Sequence, residues 1–463
     1  MPSTTTRRRP VPTAFLVALL LLGVLTSASQ RPAFCGVADD APRRPNIVVI
    51  LADDLGYGDL GCYGNQEINT PHLDKLAAGG MRFTDFHSSG PVCSPTRAGL
   101  VTGRYQQRAG VPGVIYADPK ANRHHGLQLS EITFAEMLAP AGYRTGVMGK
   151  WHLGYEPQFN PRHQGFDVFR GYVSGNIDYI SHYDRMEIYD WWHDEEKVEE
   201  PGYSTHLISR HAVKFIDENH DRPFCLYVAH EAPHSPFQGP GDPPQRGPNK
   251  AQEKLGPDRI ARARREMIEE MDRGVGDVVA ALERHDLRDS TLVFFLSDNG
   301  AERNGSNGPL NGYKGSLWEG GHRVPAIANW PGVVEPGAEC DALTISLDVT
   351  PTLLDLAGVA PPRDRPLDGR SLRPLLEGGK PAESRRLFWQ YGPQGAVRDG
   401  RWKLLMQGES PPRLYDLSRD LGETTDLSAD QPDRVERLQT AYAAWRKDVE
   451  TGAAVQPEKP ASK

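Results

Sequence analysis

Asp53-Asp54 and Asp298-Asn299 supply three carboxylates and an amide, all oxygen donors. Such a set suits a hard divalent cation, and ligands carried on loops favour Ca2+ over the stricter octahedron of Mg2+. One acidic pair alone reads equally well as a solvated loop; two such pairs at two strand ends carry more weight. Lys150, His152, His230 and His234 add cationic and proton-transferring groups. Cys93 opens the run Cys93-Ser94-Pro95-Thr96-Arg97, which closes at Gly103. Proline in a first turn and glycine at the end predict a short helix over 95–102. Cys93 then lies at the positive helix terminus, which favours an anion or an anionic nucleophile. Arg97 points back to it from one turn in. The competing reading of Cys93 is a buried or disulfide-bonded cysteine. Cysteines stand at 35, 62, 93, 225 and 340, and an odd count leaves at least one thiol unpaired. Cys62 and Cys225 read as plain thiols.

The elements that must position these groups are legible as apolar runs. Asn46–Leu51 is continuous and ends in Asp53-Asp54, the pattern of a buried parallel strand. Strand-like runs follow at Tyr143–Met148, Phe224–Ala229, Thr291–Ser297 and Val324–Asn329. Between them lie helical stretches starting at Thr70-Pro71, at Ser130–Ala141 with Thr133 and Glu136 at capping-box spacing, at Ser204–Asn219 and at Asp258–His285. Alternation of this kind predicts the α/β class, a large mostly parallel sheet sandwiched by helices. Ligands of such sheets sit at the carboxyl ends of the strands. Four of these ends deliver Asp53-Asp54, Lys150-Trp151-His152, His230 with His234, and Asp298-Asn299.

After about residue 380 short alternating runs (387–391, 395–398, 402–406, 414–417) and a helix over 430–449 predict a small α+β subdomain with an antiparallel sheet. The expected organisation is a catalytic domain over 45–379, the subdomain over 380–450 and a disordered tail over 451–463. The Asp194–Glu200 run reads as a solvated loop, and Arg259–Glu270 as an exposed, salt-bridged helix face. At the other end, Arg7-Arg8-Arg9, the apolar run Ala14–Leu25 and the small residues Ser27-Ala28-Ser29 predict a signal peptide over 1–29. That run is short for a bilayer span of about 20 residues, so the expected location is secreted or periplasmic, without a stable membrane anchor. Pro32-Ala33-Phe34 fits a lipobox at Cys35 poorly.

The chain has 463 residues and a formal charge of −8, and cleavage after residue 29 removes three arginines and takes it to −11. That balance argues against a nucleic-acid partner, which calls for a basic face. The 47 glycines and 39 prolines predict long irregular loops.

Cys93-Ser94-Pro95-Thr96-Arg97 resembles the C-x-P-x-R signature of the type I sulfatases of the alkaline-phosphatase superfamily. Further matches follow in collinear order over roughly residues 45–450. Pro45–Leu51 with Asp53-Asp54-Leu55-Gly56-Tyr57-Gly58-Asp59 looks like the family's first strand and metal loop. Gly149-Lys150-Trp151-His152-Leu153-Gly154 looks like its second signature, and Ala232-Pro233-His234-Ser235-Pro236-Phe237 like its substrate-histidine loop. Ser297-Asp298-Asn299-Gly300, Lys314, Trp318-Glu319-Gly320-Gly321-His322-Arg323-Val324-Pro325 and Leu414-Tyr415-Asp416-Leu417 complete the set. Within the family, the stretch 149–171 and Ser306-Asn307-Gly308-Pro309 resemble the arylsulfatase A and N-acetylgalactosamine-6-sulfatase branch.

The resemblance implies a sulfuric ester hydrolase acting on a sulfated sugar or polysaccharide. It implies that Cys93 is converted to formylglycine by a separate maturation enzyme. It further implies one Ca2+ ion held by Asp53, Asp54, Asp298 and Asn299, with the modified Cys93 as a further ligand. An aldehyde hydrate offers two hydroxyls on one carbon, one to attack sulfur and one to expel sulfate, so a hard step becomes two easier ones. Lys150, His234 and Lys314 would grip sulfate oxygens, with His234 the foremost candidate to protonate the leaving alcohol. Asp298 would accept the nucleophile's proton, His152 would serve as the base for regeneration, and Arg97 would neutralise the carboxylates. His230 reads as a structural or outer-pocket histidine; His87, His124, His125, His182 and His193 are candidates for the substrate mouth.

Two alternatives remain. A phosphonate or phosphodiester hydrolase of the same superfamily would show in the ratio of rates on the two ester types. A non-catalytic protein that binds sulfated glycans would carry Cys93 as an unmodified thiol. The local charge balance suits an anion: Asp53, Asp54 and Asp298 against a divalent ion, Arg97, Lys150 and Lys314 leave about +2, whatever the net charge of the chain.

Overall fold

Seven consecutive buried residues form strand β1 (Asn46–Ala52), the centre of the molecule. The computed structural model describes residues 44–248, 254–380 and 385–459; the expected signal peptide, Cys35 and residues 460–463 lie outside them. The remaining strands of the large sheet and its surroundings are β2 (Met81–Phe83), β3 (Phe86–His87), β4 (Arg144–Lys150), β5 (Val168–Tyr172), β6 (Trp192–His193), β7 (Glu196–Lys197), β8 (Phe224–Ala229), β9 (Thr291–Ser297), β10 (Ala326–Asn329), β11 (Ala338–Cys340) and β12 (Thr344–Ile345). Ten of them pair in the order β11-β2-β10-β9-β1-β8-β4-β5-β6-β7. The five central strands, β9 to β5, are parallel to one another. The flanks are antiparallel, at β10 on one side and at β6 and β7 on the other, so the expected parallel sheet is a parallel core with mixed edges.

The continuous apolar runs are explained by burial on both faces. Ile47, Val49 and Leu51 pack with Ala98, Leu100 and Val101 of α2 (Cys93–Thr102) and with Phe134 of α3 (Phe134–Leu138). Val48 and Ile50 face the opposite layer, with Leu73 of α1 (Pro71–Ala78), Leu207 and Phe215 of α4 (Ser204–Asn219), and Met271 and Val278 of α5 (Pro257–Arg284). The helix expected over 130–141 is shorter: Thr133 and Glu136 do form its capping box, and a 3-10 turn, Ala139–Ala141, takes over at the proline. Helix α2 begins at Cys93 itself, since a first turn tolerates proline; Val92 before it is extended and makes no side-chain cap. The Arg259–Glu270 face carries the expected Arg262–Glu266 pair, but Arg264 turns inward to a buried pair with Asp59. The Asp194–Glu200 run is a tight edge hairpin rather than a solvated loop, and Glu200 accepts from Trp191, His193 and His211.

Helices α6 (Glu319–His322), α7 (Val349–Ala357) and α8 (Arg373–Leu376) lead to a separate antiparallel sheet of β13 (Arg386–Tyr391), β14 (Gln394–Asp399), β15 (Trp402–Gln407) and β16 (Arg413–Asp416), crossed by α9 (Pro432–Glu450). It is wired to the main body: Lys403, fully buried, lies 3.0 Å from Glu319 and 2.8 Å from Glu423. Residues beyond α9, expected to be a disordered tail, are fastened as far as Gln456. The Ala454 N–H donates to the Arg108 carbonyl at 2.8 Å. Gln456 Nε2 donates to the carbonyls of Gly110 at 2.7 Å and Gly126 at 2.8 Å. Among the described residues no helix is long and apolar enough to cross a membrane.

Candidate active site

Strand register lines up the chemistry. Ala52 of β1 is level with Ser297 of β9, while Leu51 and Gly149 of β4 are both level with Ala229 of β8. The residues that follow therefore emerge side by side at one edge of the sheet, as the carboxyl-end rule requires. Gly149 makes the close approach there: its φ is +109°, and a Cβ would stand 2.0 Å from the Ala229 carbonyl oxygen. Gly300 does the same after β9, where a Cβ would meet the Gly320 carbonyl at 1.8 Å. Asp54 and His152 adopt left-handed backbone, φ 64° and 55°, a conformation costly for residues with a Cβ and concentrated at functional sites.

Arg97 reaches from α2 into this edge. Its Nη2 and Nε donate to Asp298 Oδ2 at 2.9 and 3.2 Å, and its Nη1 to the Lys150 carbonyl at 3.0 Å. Asp298 Oδ1 accepts the Asp54 N–H at 3.2 Å. Lys150 Nζ donates to Asp53 Oδ2, and Lys314 Nζ lies 2.7 Å from each oxygen of Asp54. Asn299 Nδ2 donates to Asp54 Oδ1 at 2.7 Å. Cys93 Sγ donates to Asp53 Oδ1 at 3.3 Å. His234 Nε2 is 3.7 Å from Asp54 Oδ2. Asp53, Arg97, Lys150, Asp298 and Asn299 are all fully buried. Every site residue expected from the sequence is thus drawn into one cluster, apart from His152, which stands beside it.

Electrostatics separates the two adjacent acids. Burial, then Asp298, pushes the Asp53 carboxyl up to about 7 against the pull of Lys150 and Arg97. Burial acts the same way on Asp54, but Lys314 and His234 outweigh it and hold that carboxyl below its ordinary range. Burial and Asp53 push the Cys93 thiol up, overcoming the helix terminus. Burial lowers both His152 and His234, helped by Lys150 and Arg97 at the first and by Lys314 and Lys150 at the second, so both rest neutral. His152 Nε2 donates to the Ile115 carbonyl at 2.9 Å, which leaves Nδ1 as a bare lone pair; that atom is buried and has no partner.

The two acids at the end of β1 are drawn together with Cys93 and His234, while Asp298 stands outside that closest group. Ligand atoms of Asp53, Asp54, Cys93 and His234 all lie within 4.8 Å of one another. Asn299 Oδ1 is buried with no hydrogen-bond partner, an orphan that a cation would satisfy.

A cavity of about 260 Å³ opens onto the cluster, and Cys93, His152, His234 and Lys314 line it with the 114–117 loop, Tyr155, Ser174, Asn176, Arg185 and Tyr391. Lys150 is not part of the lining; it sits beneath, on Asp53. None of His87, His124, His125, His182 and His193 is in the lining. His87 turns inward to Asp85 and His322, and His182 stacks on Trp191. His230 is fully buried, as its structural reading required. Sequence reasoning missed Asn176, whose Nδ2 donates to the Ser235 carbonyl at 2.6 Å and lies 3.3 Å from His234 Nδ1. The carboxyl-end rule would have found it after β5, a strand whose Arg170 and Gly171 break the apolar run.

Cations packed around a carboxylate cage, and a cysteine at a helix terminus, make this a site suited to an anionic ester on an alkaline-phosphatase-like scaffold. The sulfatase family model matches residues 45–359, and the chain belongs to that family. A second model, the C-terminal part of N-sulphoglucosamine sulphohydrolase, matches residues 313–443. The chain is 38% identical to human arylsulfatase A over 83% of each protein. It is 35% identical to N-acetylgalactosamine-6-sulfatase of Canis lupus familiaris, over 85% of this chain and 76% of the relative. The structure of Ps i-CgsB in complex with k-i-k-neocarrahexaose superposes with a TM-score of 0.80 at 30% identity, covering 90% of this chain and 95% of that one. The protein is a sulfatase, an enzyme that hydrolyses sulfuric esters.

Proposed function

We propose that this sulfatase removes sulfate from a carbohydrate, outside the cytoplasm, through Cys93 matured to formylglycine. The observation that carries the reading is the meeting of Cys93, bonded to Asp53 behind it, with Lys314, His152 and His234 at one cavity wall. Support for a sugar comes from the N-acetylgalactosamine 6-sulfate named for one relative and the oligosaccharide bound by Ps i-CgsB. Export rests on the pattern over residues 7–29. The boundaries 45–379 and 380–450 are retained for the catalytic domain and the C-terminal subdomain.

Oxidised and hydrated, Cys93 supplies a geminal diol, one hydroxyl to attack sulfur and the other to expel sulfate as the carbonyl re-forms. Asp53, Asp54, Asp298 and Asn299, with the matured Cys93, would hold a Ca2+ ion, which would supply Lewis acidity there. The chain's own residues do the rest. Asp53 Oδ1, which the Cys93 side chain already meets, takes the nucleophile's proton in place of Asp298, whose oxygens are held by Arg97 and the Asp54 N–H. Lys314 faces the cavity and holds sulfate oxygens as charge grows on them; His234, protonated once the anion is bound, holds another and gives that proton to the leaving alcohol. Lys150 neutralises Asp53 from below. His152 Nδ1, unpartnered and unprotonated, takes the proton whose loss re-forms the aldehyde.

A mass spectrum of the peptide containing Cys93, from protein produced with a formylglycine-generating enzyme, joined to release assays on a panel of sulfated sugars and matched phosphonate esters, tests this. Aldehyde at Cys93 and sulfate release are the expected results. Aldehyde with faster phosphonate than sulfate hydrolysis would turn the assignment to that neighbouring activity.

A further inference from the structure

A second cavity, of about 680 Å³, adjoins the reaction cavity and shares Asp184 and Arg185 with it. Its wall includes Arg246, buried at 7% exposure, and Lys254 at the rim. Arg185 Nε and Arg246 Nη1 both donate to the same atom, Asn176 Oδ1, each at 3.2 Å. Two guanidinium groups on one neutral oxygen repel each other, and among the described residues no carboxylate oxygen lies within 4.0 Å of either. The loop carrying Arg246 is held in place, since Asp178 Oδ2 accepts the N–H groups of Gln245 and Arg246 at 2.6 and 2.8 Å. Burial and then Arg185 lower the pKa of Arg246, outweighing the more distant Glu231, Asp178 and Asp184. Asp184 and Glu187 also line the space. Asp184 Oδ1 accepts the N–H groups of Met186 and Ile188 but keeps its charge, so three cations, Arg185, Arg246 and Lys254, face two lining carboxylates.

We propose that Arg185 and Arg246, brought together on Asn176, form a second anion subsite that takes a carboxylate or sulfate on the sugar next to the one being desulfated. The planar fork of arginine matches both groups, and lysine does not reproduce it. The proposal rests on the carbohydrate reading above and narrows it: the substrate is an oligosaccharide with at least two anionic groups, and a singly sulfated monosaccharide fills half the site.

Calorimetry on the Cys93→Ala protein, which holds substrate without turning it over, separates this proposal from the sulfatase mechanism. The probes are N-acetylgalactosamine 6-sulfate, its disaccharide with a neighbouring uronic acid, that disaccharide with the carboxyl reduced, and one with a sulfated neutral neighbour. The uronic or sulfated disaccharide should bind at least tenfold tighter than the monosaccharide, and whichever of the two does names the anion. The reduced disaccharide should lose that preference. Arg185→Gln, at an exposed position, and Arg246→Gln should each cut the preference at least fivefold, with Arg246→Lys recovering only part. Equal binding of charged and reduced disaccharides, or an unchanged preference in Arg185→Gln, overturns the subsite while leaving sulfate release by the native enzyme intact. Arginine-dependent binding without release from any of these sugars overturns the release mechanism and leaves the subsite standing; no binding by any probe overturns the subsite.

Discussion

Arg97 donates two hydrogen bonds to a single oxygen of Asp298, from Nη2 at 2.9 Å and from Nε at 3.2 Å, with both side chains fully buried. The same guanidinium lies 3.6 Å from Asp53. It thus joins α2, which carries Cys93, to the ends of β1 and β9.

Removing that bracket should cost stability as well as activity. Arg97→Met leaves Asp298 as a buried charge without its partner, while Asp53 keeps Lys150, a loss of about 3–5 kcal/mol. Arg97→Lys keeps the charge but cannot make both bonds, so it should fall between. Urea denaturation checks this; a Met variant as stable as the native protein would show that the pair is compensated elsewhere.

Lys314 should behave differently, because it faces the cavity. Lys314→Ala should lower kcat/KM by about a hundredfold to a thousandfold, the usual effect of removing one donor to a developing charge. Its melting temperature should fall too, since Asp54 loses the ammonium on both its oxygens, but less than that of Arg97→Met, because Asn299 still donates to Asp54 and the site opens to solvent. Parallel kinetics and thermal melts decide; a large stability loss with modest kinetic change would make Lys314 structural.

Cys93→Ala should abolish turnover and leave the fold in place. The thiol makes one side-chain hydrogen bond, to Asp53, and losing it costs about 1–3 kcal/mol. Circular dichroism and an end-point sulfate assay suffice. Measurable turnover by the alanine variant would remove Cys93 from the reaction.

Chelation should weaken the protein as well as silence it. Asp53, Asp54 and Asp298 share one buried cluster, and an ion at a hundred times its Kd adds about 2.7 kcal/mol to the folded state. Treatment with EDTA should lower the melting temperature, and Ca2+ should restore it more fully than Mg2+. A melting curve indifferent to both would mean that the lysines alone neutralise these acids.

His230 gives a pH signature. Burial depresses its imidazole to about 3, and neither ring nitrogen has a partner, whereas an unfolded histidine titrates near 6.5. Between these values the unfolded chain binds a proton that the folded chain refuses. Stability from this group is therefore whole above about pH 6.5 and falls by up to about 1.4 kcal/mol per pH unit below it. His230→Leu should flatten that limb of the stability profile; an unchanged slope would assign it to other groups.

The parallel core was legible because β1, β8 and β9 are unbroken apolar runs, and register then brought the acids after them together. Arg170 and Gly171 hid β5, and with it Asn176. The left-handed backbone at Asp54 and His152 has no sequence signature, since it is imposed by what packs around the strand ends. The candidate mouth histidines failed for a different reason. His87 sits beneath Trp389 of the C-terminal sheet, and spacing along the chain cannot say which side of a polar residue a distant segment will cover.

The Gln456 side chain spans both ends of the 110–126 loop, whose Ile115 carbonyl fixes the ring of His152. A protease cut between α9 and Ala454 would spare every strand, both cores and every catalytic side chain, yet release the clasp that sets which nitrogen of His152 is bare. Samples nicked there would pass a folding test and fail an assay, so the integrity of this short strap belongs among the criteria for an active preparation.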